Sequence, residues 1–102
     1  MNFKSLSPAR RQLVAVFHRW GFARIEGLVV RDGEPVLNPL PHVVREHKFA
    51  SENGPRSEGR LDDFVLKPQV LDLFKVMDEL GDGTIAVLTI KHGLPFSCEI
   101  AA

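Results

Sequence analysis

The sequence predicts an α+β fold in two layers, with two helices on one face of a mostly antiparallel sheet of four or five strands. Three observations lead there. Two segments carry apolar residues at helical spacing, over about residues 8–20 and 68–80. Each is followed by an apolar run and a two-residue turn signal, which together describe a hairpin. The whole pattern of helix, strand, turn and strand then recurs, with Pro68 standing in the second copy where Pro8 stands in the first.

The recurrence is visible when residues 7–37 are set above residues 67–97 without a gap. Identities fall at Pro8/Pro68, Leu13/Leu73, Val16/Val76, Gly21/Gly81, Ile25/Ile85, Leu28/Leu88, Gly33/Gly93 and Pro35/Pro95. Ordinary composition gives about two identities over such a span. The matches include the residues that punctuate structure, so the expectation is a pseudo-repeated α-β-β unit.

Each unit is read in chain order. Pro8 and Pro68 suit a first helical turn, where the missing N–H has no partner to lose. Leu13, Val16, Phe17 and Trp20 form one apolar stripe, and Leu73, Val76, Met77 and Leu80 form the other. Gly21 and Gly81 follow as helix stops. The runs RIEGLVVR and TIAVLTIK are strands covered on at least one face. Asp32-Gly33 and His92-Gly93 are the hairpin turns, and the return strands begin near Pro35 and Pro95.

Residues 38–66 belong to neither unit. HVVREHKF reads as a fifth strand, with Val43, Arg45, His47 and Phe49 on one side and Val44, Glu46 and Lys48 on the other. Residues 50–63 lack periodicity and are rich in turn formers, so a mobile loop is expected there. The organisation is one domain over 1–102, with unit 1 at about 7–37 and unit 2 at about 67–100.

Composition narrows the classes of function. The chain has 102 residues, 44% of them hydrophobic and 25% charged, which suits a globular domain. The single Cys98 leaves no internal disulfide and no thiolate zinc site, and fits a cytoplasmic location. No apolar run reaches the ~20 residues of a membrane span, so no membrane partner is expected. The N-terminus lacks the apolar core of a signal peptide.

Formal net charge is zero, yet the two halves differ in sign. Residues 1–50 hold eight Lys/Arg against four Asp/Glu; residues 51–102 hold five against nine. Arg11, His18 and Arg19 are expected on the outward face of the first helix, opposite its apolar stripe. In the gapless alignment His18 and Arg19 fall on Asp78 and Glu79, so the outward flanks of the helices carry opposite charge. Such flanks complement each other within one chain or between two copies.

The chemistry-bearing residues form few constellations. The His residues lack metal-ligand spacing, and no metal or cofactor is expected. Asp32 with Glu46 and Lys48 has the residue types of a Mg²⁺-dependent nuclease, in a pattern that common residues produce readily. The charge and turn residues that folding does not explain are Arg45, Glu46, His47, Lys48, Asn53, Arg56 and Arg60, which make the candidate binding surface. The functional expectation is a small, soluble, non-catalytic binding or assembly module that meets a protein partner or a second copy of itself. The alternative is a nucleic-acid-binding protein using the basic half, since arginine forks match phosphates. A nuclease is the third reading.

Overall fold

The structure is a computed structural model that describes residues 1–50 and 64–101. Helix α1 spans Pro8–Trp20 and helix α2 spans Pro68–Leu80, each with proline in its first turn. Gly21 and Gly81 close them with φ of 65° and 67°, donating their N–H groups to Phe17 and Met77. A left-handed backbone at a helix stop is where glycine avoids the Cβ clash. The N-termini differ. The Ser7 hydroxyl accepts the Arg10 N–H at 3.2 Å, whereas Lys67 provides no side-chain cap. A cap of this kind stabilises a helix by about 1 kcal/mol.

Five strands make one sheet: β1 Ala23–Arg31, β2 Glu34–Pro35, β3 His42–Arg45, β4 Gly83–Lys91 and β5 Leu94–Ile100. Every pairing is antiparallel. The order is β2-β1-β4-β5, and β3 also pairs with β1. The first return strand therefore arrives in two pieces. Pro39 and Pro41 lie between β2 and β3, and proline has no N–H to give a ladder. The second return strand, β5, is continuous over seven residues.

The two central strands set the shape of the sheet. Ala23 faces Ile90, Ile25 faces Leu88, Leu28 faces Ile85 and Val30 faces Gly83. The offset that takes Ile25 to Ile85 and Leu28 to Leu88 carries this register onto itself. The same offset relates two hydrogen bonds of 2.8 Å, from Gly33 N–H to the Gly81 carbonyl and from Gly93 N–H to the Gly21 carbonyl. Beyond this register and these two bonds the halves differ, with β2 spanning two residues and β5 seven.

Along β1 the buried positions are Ala23, Ile25, Leu28 and Val30, so the alternation changes phase at Gly27, whose φ is 72°. Along β4, Ile85 and Leu88 are buried in the same way. Packed against this face are Leu13, Val14 and Phe17 of α1 and Val70, Leu73, Phe74 and Met77 of α2. Burial of each large side chain stabilises the fold by about 1.5–3 kcal/mol relative to exposure. Phe3 adds a strap: its N–H donates to the Phe64 carbonyl at 2.8 Å, and the two rings stack at 4.9 Å.

One expectation needs correction. His18 is only 5% exposed, so it does not belong to an outward basic face of α1. The buried stripe of α1 is Leu13, Val14, Phe17 and His18, while Val16 and Trp20 are only half-buried. The stripe is rotated towards the 14/18 side because Phe64 covers that side, stacking on the His18 ring at 5.3 Å.

Candidate functional site: a basic, aromatic end of the sheet

Antiparallel pairing decides which charges meet. Ala23 at the start of β1 lies opposite both Ile90 near the end of β4 and Arg45 at the end of β3. The residues flanking these positions therefore gather at one end of the sheet: Arg19 and Trp20 before the Gly21 turn, then Arg24, Arg45, Lys48 and Lys91. All of these cations are exposed.

Cations and rings alternate across this end. The Arg19 guanidinium lies 4.9 Å from the Trp20 ring centre, and that of Arg45 lies 5.7 Å from the same ring. The Lys48 ammonium sits 4.2 Å from the Phe22 ring, which also meets His92 edge-on at 4.8 Å. Lys91 sits 4.1 Å from Phe96, a ring that is 65% exposed. Contacts of this type are worth about 0.5–1 kcal/mol at exposed sites, enough to fix where a cation stands. A groove of about 320 Å³ opens at this end, lined by Arg24, Val44, Arg45, Glu46, Thr89 and Lys91.

The other end of β1 carries the opposite sign. Asp32, Glu34, Asp78, Glu79 and Asp82 gather around the Asp32-Gly33 turn, with Arg10 and Arg31 among them. The Asp82 carboxylate accepts the Asp32 N–H at 2.8 Å. At about 3.3 Å per residue, the two ends of β1 stand roughly 25 Å apart. Arg10 is the organised cation here. It pairs with Asp78, donates to the Gly33 carbonyl at 2.9 Å, and lies 4.8 Å from the Phe74 ring. Its Nε also lies 3.5 Å from Glu34, whose carboxylate accepts the Ser7 hydroxyl at 2.8 Å.

The residues expected at the binding surface are only partly brought together. Arg45, Glu46, His47 and Lys48 are all exposed and follow one another off β3. Glu46 fixes that exit by donating its N–H to the Phe22 carbonyl at 2.9 Å, and His47 meets Phe49 edge-on at 5.4 Å. Arg19 joins them, whereas Arg11 is half-buried in the first turns of α1. Asn53, Arg56 and Arg60, with most of the expected mobile loop 50–63, lie outside the described residues.

Sequence reasoning missed Trp20, Phe22, Lys91 and Phe96 at this end. The available signal was the pairing of the two central strands, which sets the first helix stop beside the second hairpin turn. Asp78 pairs with Arg10, not with the first helix's outward flank. The nuclease triad does not assemble, because Asp32 and Glu46 sit at opposite ends of β1.

Elsewhere, burial first and the nearby Asp72 carboxylate second push the Cys98 thiol above its ordinary pKa. Among the described residues, no three His, Cys, Asp or Glu side chains gather as a metal site, and no helix is long and apolar enough to cross a membrane. Compared with protein-family models, with curated proteins and with solved structures, the chain matches none.

Proposed function

We propose that the protein is a non-catalytic binding module that engages an acidic partner through the basic end of its sheet. The observation that supports this reading is the sorting of charge by end. Arg19, Arg24, Arg45, Lys48 and Lys91 stand at one end, and Asp32, Glu34, Asp78, Glu79 and Asp82 stand at the other. Within one molecule the ends are too far apart to neutralise each other, since ~25 Å exceeds the Debye length of about 8 Å at physiological salt. An acidic protein surface, including the acidic end of a second copy, complements the basic end in sign.

A specific observation favours a second reading, in which the partner is single-stranded nucleic acid. The rings at the basic end alternate with cations, and the exposed Phe96 ring provides a face for base stacking. Fluorescence anisotropy separates the readings, using a labelled polyglutamate and a labelled oligothymidylate across a salt series, with sedimentation of the protein alone. Binding of both polymers, weakening with salt, supports the general reading. A marked preference for oligothymidylate selects the nucleic-acid reading. Mass that rises with protein concentration at low salt selects self-association. No binding and a constant monomer mass would reject the module.

A further inference from the structure

The Arg10 cluster has a counterpart in the second half of the alignment, and that counterpart is a cavity. Ser7, Arg10, Glu34, Phe74 and Asp78 surround one another beside the first hairpin turn. The offset between the two units, applied in both directions, carries them to Lys67, Val70, Leu94, Val14 and His18. These five residues, with Phe64 and Val65, line a cavity of about 180 Å³ beside the second hairpin turn. Among the described residues, a guanidinium and its partners fill the place beside the first hairpin turn, whereas a cavity lies beside the second.

The lining has a defined chemical character. Val14, Val70, Leu94 and the Phe64 ring make the walls apolar. His18 is nearly buried, and Lys67 is exposed at α2's N-terminal boundary. Apolar walls with a small number of polar groups are the usual make-up of a small-molecule site. For scale, apolar cavities of about 150 Å³ take up benzene. An ammonium at the boundary favours an anionic head.

We infer that this cavity is a binding site for a small carboxylic acid with a single aromatic ring or a branched apolar body. The body lies against Val14, Val70 and Leu94, and the carboxylate is directed to Lys67. The cavity lies at the same end of the sheet as the basic groove, where Leu94 pairs with Lys91, but the two share no lining residue, and the site stands whether or not the groove binds a polyanion.

Benzoate is a suitable probe, with benzyl alcohol as its neutral counterpart, followed by amide NMR of the full chain. Saturable shifts at millimolar benzoate, centred on Val14, His18, Val70 and Leu94, are expected. Lys67→Gln should weaken benzoate by about fivefold and leave benzyl alcohol nearly unchanged, as for loss of one exposed charge contact. Val70→Phe fills the cavity and should abolish both. Leu94→Phe serves the same purpose should Val70→Phe not fold. Absence of saturable shifts, shifts centred on Arg24 and Arg45, or full benzoate binding to a folded cavity-filled variant would each overturn the assignment.

Discussion

Arg10 and Asp78, one from each helix, form an ion pair in which the arginine side chain is 16% exposed and the aspartate 65%. That asymmetry says where the energy lies. An aspartate so open to water contributes at most about 1 kcal/mol through the pair. The arginine also holds the Gly33 carbonyl, approaches Glu34 and covers the Phe74 ring. Arg10→Ala should therefore destabilise the protein by about 2 kcal/mol, while Asp78→Asn costs less than about 1 kcal/mol. Urea unfolding of the two variants checks this order. Equal losses would place the stabilisation in the ion pair itself.

Gly27 provides a test of the phase change in β1. A Cβ there meets nothing within 4 Å, so any cost of substitution comes from the backbone at φ +72°. An L-residue in that region is strained by about 1–2 kcal/mol, and the stiffer unfolded chain offsets part of this. Gly27→Ala should destabilise by about 1 kcal/mol, and Gly27→Asn by less, because Asn tolerates the left-handed region better. Thermal or urea unfolding reads both. If alanine is neutral, the left-handed backbone is not what turns Leu28 inwards.

These two positions also show what was legible in the sequence. The helices end where the prolines and glycines put them, because Pro8, Gly21, Pro68 and Gly81 act through their own backbones. The hairpins followed from Asp32-Gly33 and His92-Gly93, whose residues all have positive φ. Arg10 and His18 were not legible, since their burial depends on partners far along the chain. Asp78 and Gly33 draw Arg10 inwards, and Phe64 covers His18. A helical stripe read from hydrophobicity alone assigns both to solvent. The basic end was half legible: Arg45 and Lys48 stood out in sequence, but Trp20 and Lys91 joined them only through the β1–β4 register.

Cys98 should react slowly. Its raised pKa lowers the thiolate fraction at neutral and mildly alkaline pH, and the thiolate is the nucleophile. Reaction with an aromatic disulfide reagent at mildly alkaline pH should run slower in the folded protein than after unfolding in urea. Asp72→Asn removes the smaller of the two causes, so it should speed the folded reaction modestly without reaching the unfolded rate. A folded rate equal to the unfolded one would show that burial does not protect this thiol.

Charge reversal at the two ends tests the proposed binding face most directly. Arg45 and Lys91 line the groove at the basic end, whereas Arg31 lies among the carboxylates at the other. All three are exposed, so Arg31→Glu should change stability by about 0.5 kcal/mol, and Arg45→Glu and Lys91→Glu, which also lose a cation–ring contact, by at most about 1 kcal/mol. Their effects on binding should diverge. Arg45→Glu and Lys91→Glu should each weaken an acidic polymer by about fivefold or more at low salt, with the difference shrinking as salt rises. With oligothymidylate, each lost phosphate contact should also flatten the slope of log affinity against log salt by about 0.7. Arg31→Glu should leave polymer binding intact, because its end of the sheet already repels an anion. Self-association distinguishes the variants in another way. Reversal at the basic end weakens it, and Arg31→Glu strengthens it by making the acidic end more negative. An Arg31→Glu variant that loses polymer binding as fully as Arg45→Glu would mean that the ends are not separate surfaces.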